Sequence, residues 1–201
     1  MGNIFSYGGC FPTGTKILMS DYSSKNIESL TTADSVIGIE KSPLKVLAVY
    51  PLYLGSYQGL WKFPDDSLMF SSDHAFWVRK NGEDWWGTHD IHHWLRGEEL
   101  LDPYVDIQSG LKVNFGKLSK KPLILTGGEQ FAHISGWVTQ SPVMARDQLY
   151  QDNYIVWMVV TEGSHTMIAN GYVVSALVSD TNGEYDFSAI KWDGLVIPSG
   201  S

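Results

Sequence analysis

The chain has 201 residues, with 22 acidic side chains against 14 basic ones and a formal net charge of −8. This balance argues against a nucleic-acid partner, which needs clustered Lys and Arg, and 43% hydrophobic with 13% aromatic residues excludes a disordered chain. No run reaches the roughly 20 apolar residues of a membrane span, and no signal peptide is expected at the start.

Short apolar runs separated by Gly, Pro, Asn and Asp clusters predict an all-β chain, one domain with trimmings and long enough for a sizeable core. Strands are expected at Lys16–Met19, Ser35–Ile39, Leu44–Tyr50, Leu68–Phe70, Ala75–Val78, Leu123–Leu125, Ile155–Val160, Thr166–Ala169 and Tyr172–Leu177. Helical turns are expected only near Asn26–Leu30 and Pro142–Tyr150. Asn170-Gly171 between two apolar runs is a strong hairpin signal. There is no repeat at a solenoid period. Residues 103–153 hold the least recognisable sequence, including a basic cluster from Lys117 to Lys121 that reads as a solvated loop. Residues 178–201 read as an extra strand or two followed by a loose tail.

Cys10 is the only cysteine, so it makes no internal disulfide and is left as core filler, metal ligand or nucleophile. A core cysteine normally sits inside an apolar periodic run. This one follows Gly8-Gly9 and precedes Pro12, in a tight and permissive stretch of backbone. The bare Gly9–Cys10 peptide would let the thiol reach the carbonyl before it. A single thiol also suits a reducing, cytoplasmic compartment.

Further along, Ser71-Ser72-Asp73-His74 closes a strand with a hydroxyl and an imidazole three residues apart. Such a pair can be aimed at one peptide bond, and imidazole is the side chain best suited to move a proton near neutral pH. The bland alternative is a histidine that merely caps a turn. In His89-Asp90-Ile91-His92-His93-Trp94 the imidazoles invite a metal reading, but a tetrahedral site needs further ligands and a supporting shell. A structural role is expected there, with no metal and no organic cofactor, and His133 is given no role. Met1-Gly2-Asn3-Ile4-Phe5-Ser6 fits a myristoylation pattern at Gly2, which would add only weak membrane association without stable insertion.

Taken in order, these segments resemble the Hint superfamily of inteins, Hedgehog autoprocessing domains and bacterial intein-like domains. Gly9-Cys10-Phe11-Pro12-Thr13-Gly14 followed by Thr15–Asp21 is similar to the family's opening, with Tyr22 where glycine is commoner. Ile27-Glu28-Ser29-Leu30 leading to Asp34-Ser35-Val36 is similar to the next segment, with Ala33 replacing a glycine. Ser71-x-x-His74 resembles the family's Thr-x-x-His, and Trp86 through Leu100 resembles a structural segment that follows it. Val159 through Leu177, with His165 and Asn170-Gly171, resembles the closing motif.

The resemblance implies a Hint horseshoe of many short strands with pseudo-twofold character. It divides the chain into a short segment 1–9, a Hint domain 10–177 and an extension 178–201. It also implies that Cys10 attacks the Gly9 carbonyl, an N–S acyl shift, with Ser71, His74 and His165 assisting. A small external nucleophile, such as water or a thiol, then resolves the thioester in a single-turnover, cis reaction of a monomer. Two departures bear on the outcome. Ser175-Ala176 stands where inteins end in His-Asn, so the ending is Hedgehog-like and no splicing is expected; Met158 stands where many members carry aspartate. The alternatives are a catalytically silent module of the same fold, and a cysteine hydrolase acting in trans, for which nothing obvious shapes a substrate pocket.

Overall fold

The computed structural model describes residues 10–53, 59–90, 104–105, 112–114, 122–146, 154–176, 178–179 and 185–199. Strands come first as β1 (Phe11–Pro12), β2 (Lys16–Leu18), β3 (Ser24–Asn26), β4 (Ser35–Ile37) and the long β5 (Pro43–Tyr53). Next are β6 (Leu60–Lys62), β7 (Met69–Ser71), β8 (Phe76–Lys80), β9 (Glu83–Thr88), β10 (Tyr104–Val105) and β11 (Lys112–Asn114). The remainder are β12 (Leu123–Ile124), β13 (Gln130–His133), β14 (Gly136–Thr139), β15 (Val143–Arg146), β16 (Ile155–Thr161), β17 (Thr166–Ala169), β18 (Tyr172–Ser175) and β19 (Val178–Ser179). Only two single-turn 3-10 segments, Ile27–Ser29 and Phe187–Ala189, interrupt the strands among the described residues. The fold is nearly all β, as the alternation of short apolar runs and turn residues predicts.

Three sheets position the site, the smallest of them β15-β6-β7, whose β7 carries Ser71. In another, the order is β1-β16-β5-β4, and β16 runs antiparallel to β5 from Ile155↔Tyr53 to Thr161↔Val46, with a bulge between Val160 and Thr161. β1 lies on the outer edge of β16, with Phe11 opposite Trp157. The larger sheet runs β12-β9-β8-β13-β18-β17-β2-β3, with β14 added to β13 and a further pairing of β8 with β18. Strands remote in sequence thus become neighbours: Val174 of β18 faces Phe76 of β8.

Three apolar clusters fill the interior. Phe63 anchors the largest, its ring centroid 5.4 Å from Phe70, 5.0 Å from Phe131 and 4.5 Å from Tyr172. Trp77, Trp86, Phe187 and Trp192 belong to the second. Cys10, Ala48, Leu60, Val156, Met158 and Val160 form the third.

The expected Asn170-Gly171 hairpin joins β17 to β18, with φ of 45° and 89° at its two central residues. Both angles are positive, the requirement of the tight turn whose twist matches the flanking strands. Asn81-Gly82, with φ of 55° and 82°, makes the same kind of turn between β8 and β9. That second Asn-Gly was available as a signal, and it accounts for β9, a strand missing from the sequence reading.

Two expectations fail. Pro142–Tyr150 is not a helical turn over its described part: Val143–Arg146 is β15, an edge strand on β6, and residues 147–150 lie outside the described residues. An available sheet edge outweighs a weak local helical pattern, because pairing satisfies the backbone groups that one isolated turn leaves open. Nor is the end of the chain a loose tail. Phe187 and Trp192 are buried in the second cluster, and the Trp192 indole N–H donates to the His133 carbonyl at 2.9 Å. Tyr185, Phe187, Ile190 and Trp192 form an aromatic-aliphatic run, and this apolar content counts for more than the surrounding Ser, Gly and Asp.

Candidate functional site

Cys10 directly precedes β1, and its position follows from two neighbours. Pairing of Phe11 with Trp157 sets the chain against β16, and β7 approaches from the other side. Cys10 and Ser71 then exchange two hydrogen bonds: the Cys10 N–H donates to Ser71 Oγ at 2.8 Å, and the Ser71 N–H donates to the Cys10 carbonyl at 3.0 Å. Cys10 is fully buried, within the apolar cluster that includes Met158.

After Ser71 the chain makes a turn in which the His74 N–H donates to the Ser71 carbonyl at 3.0 Å. Ser71, Ser72, Asp73 and His74 are all buried, at 0%, 5%, 0% and 1% exposure. Four consecutive polar residues inside a protein are costly unless hydrogen-bonded, and this turn is held on several sides. The Ser72 N–H donates to the Gly59 carbonyl at 3.0 Å, and the Ser72 carbonyl accepts from the Asp90 N–H at 2.9 Å and Thr88 Oγ1 at 3.2 Å. Ser71 Oγ–H donates to Asp73 Oδ1 at 2.7 Å. The His74 ring lies 4.0 Å from the Phe11 ring and 5.6 Å from that of Phe76, centroid to centroid. Ser71 therefore addresses the nitrogen of Cys10, and His74 packs on the residue that follows it.

His165 sits in the turn between β16 and β17 with a φ of 54°. Its Nδ1 lies 2.7 Å from the Thr161 carbonyl, which can only accept. Nδ1 therefore carries the hydrogen and Nε2 the lone pair. Nε2 is buried with no hydrogen-bond partner among the described residues. Burial pushes the His165 pKa below its ordinary value, opposed by the Thr161 bond and by Glu40, so the ring is a neutral base.

Backbone bonds tie His165 to the serine–histidine turn through the end of β18. The Ser175 N–H donates to the Ala75 carbonyl at 3.0 Å, and the Ala176 N–H donates to the His165 carbonyl at 2.7 Å. Cys10 thus meets the Ser71–His74 turn directly, whereas His165 is linked to that turn through Ala75, Ser175 and Ala176. Gly9, on the other side of the Gly9–Cys10 bond, lies outside the described residues, as do Gly2, His92, His93, Lys117–Lys121 and Leu177.

His89 behaves as an aromatic packing residue. Its ring stacks on Trp61 at 4.4 Å with 8° between planes, and burial, opposed by Glu129, lowers its pKa to about 4. His133 Nδ1 pairs with Ser135 Oγ at 2.7 Å, and its ring lies 4.8 Å from that of Tyr172. Asp73 is the site residue that the sequence reading passed over. The available signal was a carboxyl between Ser71-Ser72 and His74, placed among Phe70, Ala75 and Phe76.

No family profile and no characterised protein matches the sequence. Among solved structures, the chain is similar to the gp41-1 intein, at 13% identity with 84% of this chain and 98% of that one covered and a TM-score of 0.45. It is also similar to a DnaB intein from Synechocystis, at 14% identity, coverage of 84% and 99%, and a TM-score of 0.46. A bacterial intein-like domain from Clostridium thermocellum gives 15% identity, coverage of 83% and 97%, and a TM-score of 0.46.

Proposed function

We propose that this chain is a self-processing domain that cleaves its own Gly9–Cys10 bond. The observation that carries the reading is the 2.8 Å contact between Ser71 Oγ and the Cys10 N–H, because that nitrogen belongs to the bond to be broken. Cys10 Sγ forms a bond to the Gly9 carbonyl carbon, and the carbon–nitrogen bond breaks through a tetrahedral intermediate. The thiol proton is balanced by one delivered to the departing Cys10 nitrogen. Ser71 fixes the plane of that peptide, while His74, packed on Phe11, is the proton donor. His165, neutral with its Nε2 lone pair available, assists as a base at the thiol or in the later cleavage. Water converts the thioester to a Gly9 carboxylate and restores the Cys10 thiol; an added thiol instead takes the acyl group as a new thioester.

No step follows at the other end of the domain. Asparagine cyclisation uses a side-chain amide nitrogen to attack its own carbonyl, and Ala176 carries only a methyl group. Asn170 is held elsewhere, its Oδ1 accepting from the Lys16 N–H at 2.7 Å and its Nδ2 donating to the Ser67 carbonyl at 2.5 Å. This ending resembles the Hedgehog type.

A second reading, a silent module of the same fold, draws on Met158. It is 1% exposed in the Cys10 cluster, so the position that carries aspartate in many Hint domains is apolar here. Intact-mass measurement decides between the two. Self-processing releases residues 1–9 on adding dithiothreitol or hydroxylamine, and Cys10→Ala stays whole. A parent chain that keeps its full mass under both reagents supports the silent module.

A further inference from the structure

Resting on the self-processing reading, we infer that Asp73 is a positioning residue that sets the direction of the Ser71 hydroxyl and, through it, holds the nitrogen of the bond to be cleaved. A serine hydroxyl has one hydrogen to donate and two lone pairs to accept with. The Cys10 N–H, 2.8 Å away, can only donate, so it takes a lone pair of Oγ. The single hydroxyl hydrogen is then committed to Asp73 Oδ1 at 2.7 Å. The amide can only donate and the hydroxyl hydrogen lies on Asp73 Oδ1, so the chain of bonds has one direction: Cys10 N–H to Ser71 Oγ–H to Asp73.

Direction matters because a hydroxyl rotates to suit its surroundings. Without an acceptor at Asp73, the Ser71 hydrogen is free to swing toward the Cys10 side or another carbonyl, and the lone pair is no longer held against the amide. In the low-dielectric interior a hydrogen bond is stronger than in water, and successive bonds in a chain polarise one another. All three residues are fully buried, which keeps water from replacing the missing partner. The backbone adds to the fixation. Ser71 and His74 are bridged by the turn bond at 3.0 Å, so the carboxyl lies on a rigid loop between the two groups that address the cleaved bond. Asp73 acts on the reaction through Ser71.

The test exploits the single cysteine. Labelling the chain with ¹⁵N-cysteine gives one backbone amide resonance, that of Cys10, and cleavage abolishes it by turning the amide into an amine. The Asp73→Ala variant should shift this resonance in proton and nitrogen and speed its hydrogen exchange by about 10-fold or more. Dithiothreitol-induced cleavage should slow by about 10–100-fold, the scale of one buried hydrogen bond left unmade. Asp73→Asn, which keeps an accepting oxygen, should recover part of both readouts. A merely structural role would move stability without this graded recovery.

An unmoved amide in a folded Asp73→Ala variant overturns the inference, as does unchanged cleavage. Should that variant not fold, Asp73→Asn replaces it, and an amide identical to the parent's then overturns the inference. If the parent never cleaves, the self-processing reading fails on its own, while the amide shift still decides whether Asp73 orients Ser71.

Discussion

Ser71 and Cys10, 61 positions apart, bind each other twice: Cys10 gives its N–H to the Ser71 hydroxyl at 2.8 Å, and Ser71 gives its own N–H to the Cys10 carbonyl at 3.0 Å. The hydroxyl therefore fixes the peptide before Cys10, and the amide fixes the peptide after it. Ser71→Ala removes the first of these bonds together with the Ser71 Oγ–H bond to Asp73 Oδ1, and leaves a buried N–H without its acceptor. The expected cost is about 1–3 kcal/mol of stability by urea denaturation, with slower cleavage. Ser71→Thr keeps the hydroxyl and should cleave close to the parent rate.

His74→Ala should slow thiol-induced cleavage by roughly 10²–10⁴-fold, the range for loss of a general acid. The measurement is the rate at which the released fragment appears by mass spectrometry. Equal rates for His74→Ala and the parent would remove His74 from the mechanism and leave it as a packing partner of Phe11.

The end of the chain should prove necessary for stability. Trp192 is 2% exposed, donates to the His133 carbonyl and accepts at its own carbonyl from the Trp137 indole at 2.9 Å. Trp192→Ala should destabilise the protein by about 3–5 kcal/mol in chemical denaturation. A variant ending before Tyr185 also loses Phe187 and should melt earlier still. An unchanged midpoint for either would return the segment to the status of an appendage.

Histidine burial gives the stability a definite pH dependence. His89, His165 and His133 all have folded pKa values below the ordinary 6.5, each from burial first, and His89 lies at about 4. A group lowered in this way stays neutral when folded while the unfolded chain takes up the proton. Its contribution is therefore full above about pH 6.5 and falls away as the pH drops toward 4. For His89 the loss between pH 7 and pH 4 is about 3 kcal/mol. Replacing His89 by Phe should keep the stack on Trp61 and flatten the urea-midpoint profile over that window. A profile as steep as the parent's would mean that His89 titrates normally in the folded protein.

A reporter fused after Ser201, which keeps the Tyr185–Trp192 segment in place, should not be released by cleavage after Ala176, because Ala176 has no nucleophilic side chain. Release from the unmodified sequence would falsify the reading of the closing strand and with it the role given to His165. Ser175→His combined with Ala176→Asn is the corresponding gain-of-function variant, with slow reporter release as the outcome to look for.

Local chemistry was legible in the sequence. Asn170-Gly171 specified its hairpin because two successive positive φ angles suit few other residue pairs, and Thr166–Ala169 ended where that turn begins. Cys10 and the Ser71–His74 pair stood out as residue types with few other reasons to sit where they do. The short edge strands were less legible. β15 lacks a pattern of its own and exists because β6 offers an unpaired edge, and the aromatic segment from Tyr185 to Trp192 is ordered because Trp77 and Trp86 present a surface for it.

The sequence by itself determined the all-β character, the turn at residues 170 and 171, and the identity of the thiol, hydroxyl and imidazoles at the candidate site. Only the tertiary structure decided which of those groups meet. The meeting of Cys10 with Ser71 needs β1 against β16 and the turn after β7 folded back onto both, and the link from Ala75 to Ser175 needs β8 beside β18. The part played by Asp73 was also decided there. A carboxyl beside a histidine is unremarkable in a sequence; its consequence comes from being fully buried 2.7 Å from one hydroxyl, where the direction of a single hydrogen is fixed. Hydrogen-bond direction depends on which partners surround a group in space, and strand order in a sheet assembled from distant segments is set by burial and pairing over the whole chain.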